Sequence, residues 1–246
     1  MRAPGGADRR VARWLRRGLL LVVAASLGLL LWGYSRNHPE DVPWTQLDLA
    51  RPVGAATSGK IARLDAAECR ALLRRAGIGF KTLPPAGRDE CRADDLVRLR
   101  GGAVTIAYRP SDLATSCKVA AALALWEWHV VQPAALRHFG VGVASIDHFG
   151  SYSCRRPYGR STGAWSEHAR ANALDIAAFR LTDGRRISVA SDWADPGGRS
   201  RFLRDVRDGA CRIFATTLSP DYNRAHRDHL HLDEAGRGRF GSRACR

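Results

Sequence analysis

An uncharged apolar run, residues 18–35, follows an arginine-rich tail, and this pairing constrains the rest of the chain more than any other feature. Eighteen residues of helix span about 27 Å, close to the thickness of bilayer hydrocarbon. Residues 1–17 carry Arg2, Arg9, Arg10, Arg13, Arg16 and Arg17 against the single acid Asp8. Such flanks stay cytoplasmic. The expectation is a single-pass protein of the inner (cytoplasmic) membrane, with its N-terminus in the cytoplasm and its folded part in the periplasm. Trp32 and Tyr34 stand where interfacial aromatics belong. The competing reading is a signal peptide cleaved near Val23-Ala24-Ala25. The apolar run continues through Leu31, which favours an uncleaved anchor; either reading exports the remainder.

Export sets the chemistry of the cysteines. Cys69, Cys91, Cys117, Cys154, Cys211 and Cys245 are even in number, widely spaced and free of any CxxC pair. In an oxidising compartment that pattern reads as disulfides. Short loops close more readily than long ones, which predicts the sequential pairing Cys69–Cys91, Cys117–Cys154 and Cys211–Cys245. The net charge is +15, of which the first 35 residues hold six arginines and one aspartate, leaving +10 for the exported part. No nucleic-acid recognition motif accompanies it, so no nucleic acid is expected as partner. Peptidoglycan or another anionic envelope polymer is the expected partner, beside the inner membrane itself through residues 18–35. A compositional preference for Arg over Lys (only three Lys) is the alternative source of the charge.

Four parts follow: a cytoplasmic tail (1–17), an anchor (18–35), a linker rich in Pro and Gly (36–60) and one folded domain (61–246). Asp65-Ala-Ala-Glu68 opens a helix as a capping box, and Gly77 ends it. Ala103–Tyr108 reads as a strand. A helix is expected from Ser111 to about His129, with Pro133 interrupting it before a short continuation to Phe139. Val141–Phe149 and Ala173–Phe179 read as strands, and Arg186–Ala190 pairs with the latter across Thr182-Asp183-Gly184. A helix over Ser200–Leu218 and a last strand over Asp228–Asp233 complete the domain. Antiparallel hairpins with helices to one side make the class α+β.

The chemistry concentrates in two segments. His226, His229 and His231 fall within six residues, and His168 precedes Asp175 by seven. Asp175 sits between apolar Leu174 and Ile176, so a buried carboxylate there needs a partner: a metal ion, an arginine or backbone amides. Imidazole with carboxylate is the ligand mix of zinc sites. Residues two apart on a strand share a face, so His229, His231 and Asp233 point one way and Asp228 the other. Trp165 and Trp193 flank the region as candidate cleft walls or core residues.

Ser166-x-His168-x4-Ala173-x-Asp175 followed by His229-x-His231 resembles the zinc-site signature of D-Ala-D-Ala-type peptidases, a group that includes penicillin-insensitive murein endopeptidase and the hedgehog signalling domain. The stretch from Cys69 to Cys245, with Ala-Asn-Ala-Leu-Asp-Ile and Tyr222-Asn-x2-His-Arg-Asp-His-x-His-Leu-Asp, resembles the extensin-like C-terminal family of bacterial envelope proteins still more closely. The resemblance implies a hedgehog/DD-peptidase-like α+β fold with a central antiparallel sheet and flanking helices. It implies Zn²⁺ held by His168, Asp175 and His231, with His229 and His226 as active-site histidines. Arg155 or Arg156 would polarise a carbonyl or hold a substrate carboxylate. Asp228 stands where the carboxypeptidase branch carries a general-base Glu, and Ala171 where the motif carries Gly. The implied activity is hydrolysis of peptidoglycan peptides by metal-activated water, of endopeptidase or carboxypeptidase type. A non-catalytic zinc-stabilised envelope module is the alternative on the same fold.

Overall fold

The computed structural model describes residues 6–100, 106–236 and 243–246. Helix α1, Gly6–Asn37, contains an apolar stretch long enough to cross a membrane, or to serve as a signal sequence, and that stretch is not buried. The segment expected as a linker is packed on the domain instead. Leu49 and Val42 are buried, His129 bonds the Leu49 carbonyl, and Arg212 donates to the Val53 carbonyl. Buried Lys60, from helix α2 (Thr57–Arg63), donates to the Pro39 carbonyl and the Thr45 hydroxyl.

Asp65 caps helix α3 (Ala66–Arg75): its carboxylate accepts the Ala67 and Glu68 amides, and Glu68 reaches back to the Asp65 amide. Strands β1 (Phe80–Thr82), β2 (Leu96–Leu99) and β4 (Ala114–Ser116) form a small antiparallel sheet. Strand β3 is Ala107–Arg109; residues 103–105 of the expected strand lie outside the described residues. The helix expected from Ser111 starts later, at Cys117, because Ala114–Ser116 pair with β2 and the Ser116 hydroxyl then caps the helix.

That helix, α4 (Cys117–Trp126), is buried on every side except at Lys118. Its alanines, 120–122 and 124, let neighbouring helices approach, and each fully buried leucine contributes about 1.5–3 kcal/mol. Trp126 donates its indole N–H to the Val206 carbonyl and packs on Phe179. Pro133 does not interrupt the helical path. A π-helical turn, Glu127–Val131, widens the backbone just before it and passes into α5 (Gln132–Phe139). The wider turn accommodates a residue that lacks an N–H and crowds the preceding turn.

The larger sheet runs β10-β8-β9-β6-β5-β3, with β7 also on β6. Its members are β5 (Val143–Gly150), β6 (Ala173–Leu181), β7 (Arg186–Ser188), β8 (Thr216–Leu218), β9 (Leu230–Asp233) and β10 (Ala244–Cys245). Two outer pairs, β3–β5 and β10–β8, are parallel, so the sheet is mixed rather than wholly antiparallel. Strand β6 is its spine. One edge of β6 pairs with β5, while the other is divided between β9 and β7. Between β7 and β8 come a single turn, α6 (Val189–Asp192), and the long helix α7 (Gly198–Ile213). The expected helix to Leu218 ends early because Thr216 and Thr217 pair with β9. Gly209 lets α7 touch Val130; a side chain there would collide with it.

The disulfides differ from the sequential expectation at two of three bonds. Cys69 joins Cys117, Cys91 joins Cys154, and Cys211 joins Cys245 as expected. Packing of α3 on α4 decides the first, and loop closure gives way to it.

Candidate metal centre

Asp175 and His231 face each other directly across the β6–β9 pairing. Antiparallel partners on one face stand close enough for their side chains to meet. His168 arrives from outside the sheet on a single turn, Glu167–Arg170, capped by the Ser166 hydroxyl. The turn closes at Ala171, whose φ is +53°. Left-handed geometry costs a residue with a Cβ about 1–2 kcal/mol. Three donors hold it there: the Ser116 amide and the Thr115 and Ser151 hydroxyls all bond the Ala171 carbonyl. The position where the resembled motif carries glycine thus does adopt glycine's conformation.

The result is a compact triad. His168 Nε2 lies 3.2 Å from Asp175 Oδ1 and 3.2 Å from His231 Nδ1, and His231 Nδ1 lies 2.9 Å from Asp175 Oδ1. A tetrahedral zinc ion with bonds of about 2.0–2.1 Å needs ligand atoms about 3.3 Å apart, so the triad has the span such an ion requires. The outer ring nitrogens assign the tautomers. His168 Nδ1 faces the Ser151 carbonyl at 2.8 Å, and His231 Nε2 faces Asp233 Oδ2 at 3.0 Å. Only N–H donors satisfy those partners. In the neutral rings the inner nitrogens are then bare lone pairs directed at a carboxylate oxygen, and three converging acceptors need a cation or an extra proton among them. His168 and Asp175 are buried and His231 nearly so.

The charges agree. Burial pushes Asp175 up, but hydrogen bonds and charge from His168 and His231 outweigh it and hold the carboxyl far below the usual range. Burial pushes His231 down, yet hydrogen bonds and charge from Asp175 and Asp233 raise it to about 9.

His229 Nε2 lies 3.6 Å from Asp175 Oδ1, while its Nδ1 contacts Asp228 Oδ1 at 2.9 Å. Asp228 therefore engages the far side of His229 and not the triad. His229 lies just before β9, and Phe149 packs edge-on against its ring. His226 sits on a short turn, Arg224–His226, with Nδ1 2.8 Å from Asn223 Oδ1. Burial first, then the neighbouring His229 and His231, lower His226 to about 4.

The two arginines are placed differently. Arg156 stacks on Trp165 at 4.2 Å, whereas Arg155 borders the cavity containing the triad. Trp165 walls that cavity; Trp193 lies elsewhere, donating to Asp221, with the guanidinium groups of Arg204 and Arg207 over its ring. The Cys91–Cys154 bond anchors the chain one residue before Arg155. Asp233 and the Ser151 carbonyl hold the outer nitrogens of His231 and His168, and the residue pattern alone gives neither a role. The spacing His231-x-Asp233 was the available signal for the first; nothing in the sequence points to the second.

An α+β domain with two imidazoles and one carboxylate converging on one point is the class defined by this fold and site. The chain belongs to the extensin-like protein C-terminus family, whose model matches residues 67–246. No curated protein and no solved structure matches the chain.

Proposed function

We propose that this is a membrane-anchored, zinc-dependent peptidase-like protein acting on the peptides of peptidoglycan, on a fold related to the hedgehog/DD-peptidase group. The observation that carries the reading is the convergence of His168 Nε2, Asp175 Oδ1 and His231 Nδ1 with their outer nitrogens already tied to other acceptors. Those three residues would hold the ion. When bound, zinc supplies Lewis acidity to a carbonyl oxygen and lowers the pKa of water toward neutrality.

The chain's own residues supply the rest. His229 accepts a proton at Nε2, and Asp228 on its Nδ1 stabilises the resulting imidazolium and fixes the ring. His226 or His229 returns the proton to the leaving amine; the two rings stand together, 5.1 Å between centroids. Arg155 stabilises developing negative charge on the carbonyl oxygen. The cationic exterior suits an anionic wall polymer.

The test uses the full chain in detergent micelles with purified peptidoglycan, with chelator and with zinc restored, and with His231→Ala as control. New peptide ends that need both metal and His231 are expected. Zinc bound with no new ends would instead favour a non-catalytic envelope module.

A further inference from the structure

Two adjoining cavities, about 630 and 500 Å³, lie where the chain leaves helix α1. Pro39 and Glu40, directly after the helix end at Asn37, border the first, and Trp44 borders the second. Leu47, Lys60, Leu72 and Arg75 border both. Each is large enough to be a small-ligand site by itself. Hydrogen bonds pin this region to the anchor. Tyr34 of α1 donates its hydroxyl to Asp41 Oδ2 at 2.6 Å, and Asp41 Oδ1 accepts the Ala55 amide at 2.7 Å. The walls combine two characters. Leu47, Leu49, Leu72 and Leu125 give apolar surface. Arg51, Lys60, Arg63 and Arg75 outnumber Glu40, Asp48 and Glu68. The acids have partners: Glu40 faces His38, Asp48 accepts the Ala50 amide and Glu68 accepts the Asp65 amide. Arg63 gives one N–H to the Pro43 carbonyl and keeps its other donors, while Arg75, in the last turn of α3, has no partner among the described residues. Trp44 is 82% exposed, more than any other large hydrophobic beyond residue 37 among the described residues. Its place, beside a cavity and near the helix end, is that of an interfacial aromatic.

We infer that these cavities hold one anionic phospholipid of the membrane that α1 enters, with its phosphate on Arg63 and Arg75 and an acyl chain over the leucines. This rests on the anchor reading of α1 and is independent of the metal site. The wall chemistry selects the ligand class. A guanidinium fork matches a phosphate, and two arginines together favour a net negative headgroup over a zwitterion. The leucine surface beside them selects a chain attached to that phosphate, because a small free anion would leave it uncovered. A wall polymer that is polar along its length gains nothing from that surface. The position of the cavities, one turn past the anchor, brings them to the headgroup layer. Bound there, the lipid gives the domain a second attachment beside α1 and fixes its tilt against the membrane.

The full chain in detergent micelles is titrated with phosphatidylglycerol, or with phosphatidylcholine of the same acyl chains, and native mass spectrometry reads the lipid retained per chain. One phosphatidylglycerol should stay bound, at least about tenfold more tightly than phosphatidylcholine. Arg63 and Arg75 are both exposed, so Arg63→Gln with Arg75→Gln leaves the core intact and should raise the Kd roughly thirtyfold. Arg74→Gln, on the same helix but bordering neither cavity, should leave it unchanged. Excess glycerol 1-phosphate, which has the charge and no acyl chain, should not displace the lipid. Equal retention of the two lipids, an unchanged Kd in the double variant, or an equal loss in Arg74→Gln overturns the inference and leaves the anchor reading standing. Displacement by glycerol 1-phosphate overturns the lipid and leaves an anion site only. A full chain that stays in solution without detergent overturns the anchor reading and this inference with it.

Discussion

Asp233→Asn should weaken zinc binding by one to two orders of magnitude, although Asp233 is not among the three converging residues. Its two oxygens are both in use: Oδ2 accepts the His231 Nε2–H at 3.0 Å, and Oδ1 accepts the Ala235 amide at 3.0 Å. Asparagine has only one acceptor oxygen to replace them. If that oxygen stays with Ala235, the side-chain NH₂ meets His231 Nε2, which must then become an acceptor. The ring proton moves to Nδ1, the atom 2.9 Å from Asp175 Oδ1, and blocks the inner lone pair. If the oxygen stays with His231, a buried amide is left unsatisfied, at about 1–3 kcal/mol. Loss of a carboxylate behind a ligating histidine typically lowers metal affinity about 10–100-fold, which is about 1.4–2.7 kcal/mol. A competition titration against a chromophoric chelator at neutral pH measures it, with the melting temperature of the metal-free protein as a control for folding. A change below about threefold in a folded variant would refute the tautomer argument.

Two further outcomes follow from the same geometry. His231, raised to about 9, keeps its proton in the metal-free protein throughout the neutral range, so an ion must displace it. Affinity should therefore rise with pH up to about 9 and then level off, with about one proton released per ion in calorimetry across buffers of different ionisation heat; no release would contradict the assignment. Opening the Cys91–Cys154 bond with paired serine substitutions frees a loop of 63 residues, for which chain entropy gives about 4 kcal/mol of lost stability. Urea denaturation should show it, and a loss under about 1 kcal/mol would mean that packing already restrains that loop.

Much of the triad is legible in the sequence because strand alternation is local. His231-x-Asp233 places two side chains on one face, and Asp175 between Leu174 and Ile176 signals a carboxylate in a buried strand. Propensity misleads where pairing wins. Ser200–Leu218 reads as one helix, yet Thr216 and Thr217 have a strand partner, and β-branched residues suit it. Residues 111–116 read as helix for want of any local sign that β2 would recruit them. The segment 36–60 reads as linker from its prolines, and it is the burial of Leu49 and the bonds from His129 and Arg212 that tie it to the domain.

Taken alone, the chain determines the apolar helix, the helix caps, the alternating strands and the residue types offered for chemistry, because each depends on neighbours a few positions away. Tertiary structure decides that Cys69 meets Cys117, since helix α3 packs on α4. It also decides that Arg155 rather than Arg156 borders the cavity of the triad, because Trp165 takes the other guanidinium. It sets the tautomers of His168 and His231 through a carbonyl and a carboxylate that reach them only in the folded state.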